Sequence, residues 1–290
     1  MLLASTRVDS FGGWHFHPDV WVLMLSLLGG YFLALRVLAP IKAEEGSPAA
    51  STKQKVCFVL GVAILWVGSD WPIHELSEDF LFSVHMTQHT LFSLVAPALI
   101  LMGMPTWLLR AMLPGRLMKM TRLLTRPFVA LLLFNGVVIV THWPVVVDAS
   151  LRSEPLHFLV HLVLVFSSLV MWWPVVDPLP ETKRLSEPAK MLYLFMQSIL
   201  PTVPASFLTF ATEPMYSFYE SVPRLWGIDV VSDQRVAGLI MKIVGGLLLW
   251  IAIAYVFFRW SASENETPDT EITWEDFERE LQAWDLRKQT

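Results

Sequence analysis

One cysteine, Cys57, is all the chain has, which rules out an intrachain disulfide and leaves no Cys-x-x-Cys pair for metal or redox chemistry. Charge is scarce too: only 16% of the 290 residues are Asp, Glu, Lys or Arg, and the net charge of −5 is spread over several loops and a tail. No basic patch of the kind that binds nucleic acid is present. The strict apolar/polar alternation of a membrane-spanning barrel is missing as well. The first twenty residues, MLLASTRVDSFGGWHFHPDV, lack a basic start and a compact apolar core, and are therefore not expected to be a cleavable signal.

What the chain has instead is long apolar runs. Hydrophobic residues make up 54% of it and cluster at 20–39, 56–73, 81–103, 126–142, 157–176, 190–211 and 236–258. About 20 apolar residues suffice to cross the hydrocarbon core as a helix. The runs are continuous, so the expected fold is all-α: a polytopic, seven-helix transmembrane bundle spanning 20–258. A short segment, 1–19, precedes it and a tail, 259–290, follows.

Lys and Arg in short loops set orientation. Arg36, Lys42, Lys53 and Lys55 follow the first run; Arg110, Arg116, Lys119, Arg122 and Arg126 follow the third; Lys183, Arg184 and Lys190 follow the fifth. The alternate segments hold only Arg7, Arg152, Arg224 and Arg235. This imbalance predicts an outer N-terminus and a cytoplasmic C-terminus. In the tail, Trp274, Phe277, Leu281 and Trp284 recur at helical spacing after Thr273, with Asp276 three residues on, which predicts an amphipathic helix on the inner membrane surface.

With that topology all eight histidines fall on the outer side: His15, His17, His74, His85, His89, His142, His157 and His161. Two pairs, His85/His89 and His157/His161, are four residues apart, which on a helix is about 6 Å of rise and about 40° of rotation, so each pair projects from one face. Ionisable residues inside a span are costly and mark function. The two pairs, with His142 at a similar depth, predict a metal site built from three helices. His15 and His17 read better as interfacial anchors than as a metal-capturing arm. Met86 lies about 100° round the helix from His85 and about 60° from His89, and its thioether is a soft ligand suited to Cu(I). Met241 in the last run offers the same chemistry, and both residues suit packing equally well. Asp233 at the mouth of that run reads as a charge for the site, a partner orienting a histidine, or a helix cap. Lys242 receives no role. Histidine alone leaves Zn(II), Cu(I) and Cu(II) open, and neutral imidazoles should lose any of them as pH falls through about 6.5.

The stretch FSVHMTQHTLFSLVAPALILMGMP resembles the signature of the seven-span CtaG family, assembly factors for caa-type cytochrome c oxidase: a His-Met-x-x-His start, then Ala-Pro and Gly-x-Pro, here His85, Met86, His89, Ala96, Pro97, Gly103 and Pro105. HFHPDVWVLMLSLLGGYFLALR is similar to the family's first span, and THWPVVVDASLRSEPLHFLVHLVLVFSSLVMWWPVVDP to its His-x-Pro turn, His-x-x-x-His span and Trp-x-Pro exit. SDQRVAGLIMK is similar to its Asp-Gln-x-x-Ala-Gly-x-x-Met start of the last span, with Lys242 standing where an aromatic is expected. The resemblance covers most of the membrane region but neither the tail nor the loop at 42–55. It implies an assembly factor that is not an enzyme and that binds copper, as Cu(I), on the outer side of a bacterial inner membrane, for the oxidase haem–copper centre. His85, Met86, His89, His142, His157 and His161 become the copper-handling residues, with Asp233 and Met241 in support. Implied partners are the oxidase large subunit, an extracytoplasmic copper donor and, as an open option, a second copy of the chain. Two other readings fit clustered histidines: an intramembrane zinc hydrolase of ceramidase-like type, needing three ligands and an open position, and a haem-binding membrane protein.

Overall fold

In the computed structural model, residues 16–43, 46, 48–266, 274, 277–279, 281, 282 and 284 are described, and among them there are helices and no strands. Five helices are long and apolar enough to cross a membrane: α1 (Pro18–Val37), α3 (Phe82–Gly103), α5 (Glu154–Val176), α6 (Glu187–Phe210) and α7 (Val230–Glu264). The count rises to seven if each of two bent pairs is one span. The principal helices of those pairs are α2 (Thr52–Ser69), from which Ile73–Phe80 turns by 55°, and α4 (Pro127–Thr141), approached at 78° by Arg116–Leu124. Large apolar side chains face outward along these helices, for example Leu33 at 62%, Phe207 at 66% and Ile251 at 56% exposure. Patches of that extent belong in hydrocarbon. The described residues form an all-helical membrane protein.

The ends follow from local chemistry. Ser51 and Gln54 form a reciprocal cap on α2, with Ser51 Oγ accepting from Gln54 N at 3.2 Å and Gln54 Oε1 accepting from Ser51 N at 2.9 Å. Prolines occupy the first turn of α1, α4, α5 and α6, where a missing N–H costs nothing.

Packing arranges five helices in a closed ring, α3–α5–α4–α6–α7 and back to α3, while α2 lies outside against α3 and α1 against α2. Small residues permit the close approaches. A Cβ on Gly61 of α2 would stand 2.9 Å from Ala96 O, one on Gly103 of α3 would stand 2.5 Å from Phe58 N, and one on Gly238 of α7 would stand 2.8 Å from Ala205 O.

Three helices are irregular. α6 breaks at Leu200–Pro201, and five-residue π turns interrupt α3 at Leu91–Val95 and α7 at Ile240–Val244. The π turn of α3 lies directly before Pro97, which has no N–H to offer the carbonyl of Ser93 four residues back. The indole of Trp172 donates to that carbonyl instead, at 3.1 Å, from α5. A backbone acceptor that lipid cannot satisfy is thus met by a neighbouring helix.

The charged pole lies opposite the histidines. Arg110 pairs with Glu181, Arg184 with Asp177 at 2.8 Å, and Arg259 with Glu187 at 3.1 Å. Helix α7 runs on past residue 258 to Glu264. In the tail, Trp274, Phe277, Leu281 and Trp284 are helical and exposed, with Trp274 and Phe277 stacked at 5.4 Å; the expected cap residues Thr273 and Asp276 lie outside the described residues.

Candidate metal centre

Inside the ring, at the pole where α3 and α5 begin, the imidazoles collect. Helix α3 presents His85 and His89 on one face with ring centroids 4.3 Å apart, and α5 presents His157 and His161 likewise, also at 4.3 Å. The two faces meet: His89 Nε2 lies 3.0 Å from His161 Nε2, and the His85 and His161 rings are 5.9 Å apart. One nitrogen each from His85, His89 and His161 lies within 4.8 Å of the other two. Nitrogens bound to a single ion at about 2 Å stand roughly 3–4 Å from one another, so a small closure suffices for all three to hold one ion.

These residues fit a metal on a second ground. His85 and His89 are 4% and 7% exposed, and the Nδ1 atom of each is buried with no hydrogen-bond partner. Buried polar atoms without partners are rare in native proteins and each asks for a reason. A ring nitrogen whose lone pair awaits an ion is such a reason.

His142 ends α4 beside the trio, its ring 5.5 Å from that of His89. Its Nδ1 lies 2.7 Å from Val138 O, and Tyr216 OH donates to its carbonyl at 3.0 Å. Donation from Nδ1 to a carbonyl fixes the tautomer and leaves Nε2 with its lone pair, as in many ligand histidines. His142 is outside the trio itself. So is His157, whose Nε2 lies 2.8 Å from a Glu78 carboxylate oxygen.

Met86 and Met241 stand on the wall of a cavity beside the site. It is small, about 60 Å³, and is lined also by His89 and His142; the cavity continues to Gln197, Ser198 and Gly246. It has room for a few waters. At its floor Asn135 Nδ2 donates to Gln197 Oε1 at 2.7 Å, Gln197 Nε2 to Tyr193 OH at 2.9 Å, and Tyr193 OH to Met171 O at 2.9 Å. Lys242 turns elsewhere, with Nζ 5.8 Å from the Phe210 ring centroid.

Asp233 is only 1% exposed, and both its oxygens go to the start of α3: Oδ2 accepts from Phe82 N at 2.7 Å and Oδ1 from Ser83 N at 3.1 Å. It caps a helix, as one of its expected roles, but a different helix from its own, whose cap is Asp229. Orphan N–H groups at a helix start favour a carboxylate strongly. Gln234 next to it accepts from Met215 N at 2.9 Å.

The sequence reading missed Glu78 and the Asn135–Gln197–Tyr193 chain. Glu78 carried a legible signal, since it follows His74 by four residues and the two pair at 3.0 Å. The polar chain carried none, because one amide on each of two apolar helices shows no spacing. Further out, His17 Nε2 lies 3.0 Å from Glu75 Oε1 and its ring 4.9 Å from that of His74. His15 lies outside the described residues.

Comparison with known proteins adds the following. A family described as cytochrome c oxidase caa3 assembly factor matches residues 29–263. Among curated proteins, an uncharacterised protein of Mycobacterium bovis and one of Mycobacterium tuberculosis are each 22% identical over 276 residues, covering 81% of this chain and 42% of the relative. An uncharacterised protein of Mycobacterium leprae is 24% identical over 204 residues, 64% of this chain and 31% of its own length. The chain thus spans less than half the length of the curated relatives it matches. No solved structure matches.

Proposed function

This chain belongs to the cytochrome c oxidase caa3 assembly factor family, and we propose that it serves oxidase assembly by binding copper, as Cu(I), and handing it to the haem–copper centre of the oxidase large subunit. One observation carries the reading: three imidazole nitrogens from two helices, each within 4.8 Å of the others, in the interior of an apolar bundle. Soft Cu(I) accepts two or three imidazoles, and with Cys57 as the one cysteine no thiolate pair is present to hold it too tightly for release. Met86 and Met241, beside His89 and His142, supply thioethers along the cavity. The chain's work is to hold and orient. The ion is received from an extracytoplasmic donor, held by neutral imidazoles, and exchanged ligand for ligand to the histidines of the acceptor, so no bond of a substrate is broken.

The topology of this reading has seven spans, α1 to α7, in a bacterial inner membrane with the histidine pole outside and the tail from Arg259 inside. The basic loops support it, and so does the clustering of the Arg110, Arg184 and Arg259 ion pairs at the pole away from the histidines.

Metal analysis by mass spectrometry after mild detergent extraction tests the function. The wild type is expected to carry about one copper per chain and a His85→Ala/His89→Ala double variant none, with oxidase in that strain copper-deficient but haem-replete. Full oxidase activity in the double-variant strain would refute the proposal. The trio is also the donor set of a zinc site with one open position. Stoichiometric zinc with lipid-amide hydrolysis in the same analysis would transfer the trio to an enzyme.

A further inference from the structure

Glu78 has no part in the reading so far. It lies on the π turn Leu76–Phe80, outside the ring helices, yet its side chain is only 21% exposed and its Oε1 faces two imidazoles: His74 Nδ1 at 3.0 Å and His157 Nε2 at 2.8 Å. His157 in turn sits against the trio, its ring 4.3 Å from that of His161 and 5.4 Å from that of His85. By position His157 is a fourth ligand. By orientation it is not, because the nitrogen it would offer is turned to a carboxylate.

The geometry points to Glu78 as a latch that holds His157 off the three-imidazole site, so that exchange of His157 Nε2 between the Glu78 carboxylate and the ion sets how readily the site gives its cargo up. The inference rests on the trio binding an ion. In the latched form the ion has three nitrogen ligands. When His157 swings from Glu78 to the ion it has four, and release requires the swing back. The exchange takes place on the outward side, where His74 and His17, each about a quarter exposed, lead away from the trio. Nε2 carries the proton that faces the carboxylate, so the swing breaks that N–H bond and forms one at Nδ1 of the same ring, the proton passing by way of water on the outward side, and the swing back reverses it; no electron moves. One imidazole changes partner.

The size of the effect follows from the charge on the latch. The Glu78 carboxylate lies 2.8 Å from His157 Nε2 and is partly exposed, and charge contacts of that kind contribute up to about 1 kcal/mol, so Glu78→Gln should shift His157 toward the ion by up to about fivefold.

The test uses the full chain in detergent, loaded with Cu(I) under reducing conditions, with release followed by transfer to an excess of a colourimetric Cu(I) chelator and the nitrogen count read by X-ray absorption. Glu78→Gln is expected to keep one ion per chain, raise the count from three toward four and slow release by up to about fivefold. Adding His157→Phe to that variant is expected to abolish the slowing. Wild-type release and an unchanged count in Glu78→Gln would overturn the latch while leaving the trio standing; a wild type that binds no Cu(I) would overturn both. Should Glu78→Gln fail to fold, His157→Asn decides the matter. It is expected to keep a three-nitrogen site and to release faster than wild type, whereas a fall to two nitrogens would make His157 a permanent ligand and end the proposal.

Discussion

The beginnings of α3 and α5 read alike in the sequence, each with two histidines four residues apart, and they are put to different use in the fold. On α3 both imidazoles join the trio; on α5 only His161 does. The difference lies in two carboxylates. Asp233 takes hold of α3 by its backbone, at Phe82 N and Ser83 N, and leaves the side chains of His85 and His89 free to face the ring interior. Glu78 takes hold of α5 by a side chain, and His157 is diverted. An acid beside a histidine pair does not by itself make a ligand set. What matters is whether it meets the backbone or the ring.

Substitutions can sharpen this comparison, beginning with the largest effect. Removing both α3 histidines, His85→Ala with His89→Ala, should abolish bound copper altogether, as metal content per chain would reveal. His161→Ala should weaken Cu(I) affinity by more than about tenfold in a chelator competition, since a direct ligand outweighs the 10–100-fold lost with an outer partner; a loss no greater than that of His157→Ala would erase the distinction between the two α5 histidines. Asp233→Ala should leave two N–H groups of α3 unpaired in the interior and lower stability by about 2 kcal/mol, read as a fall in the thermal midpoint. Asp233→Asn should recover part of it, with copper still bound well below the midpoint. If Asp233→Ala instead removed copper with the midpoint unchanged, the residue would be a ligand after all. Smallest, Trp172→Phe should cost about 1 kcal/mol by stranding the Ser93 carbonyl beside the π turn, and the same measurement should show metal content intact.

Much of the fold was legible because hydrocarbon leaves few choices. Each apolar run falls on a helix, since a backbone without water must satisfy itself as helix, and five of these helices are long and apolar enough to cross a membrane by themselves. The π turns at Leu91–Val95 and Ile240–Val244 and the break at Leu200–Pro201 were not legible, because their cause lies in neighbours: Trp172 supplies the donor that makes the disruption before Pro97 tolerable. For the site, the i, i+4 spacing placed each histidine pair on one face. Asp233 was expected, among other roles, to cap its own helix, but that cap is Asp229, and the N–H groups it accepts from belong to a helix about 150 residues away in sequence. Glu78 was within reach of its spacing from His74, but its hold on His157 was not.

Two matters were determined by the sequence alone: that this chain forms apolar helices, and that two of them carry paired imidazoles near one end. Both are local, fixed by the 3.6-residue period and the cost of exposing peptide groups to lipid. Which three rings come within reach of one ion, and which fourth is held back, was decided only by the closing of the ring. That choice depends on the rotation of α3 against α5 and on a carboxylate reaching in from a separate turn, and no spacing along one strand of sequence encodes the angle between two helices.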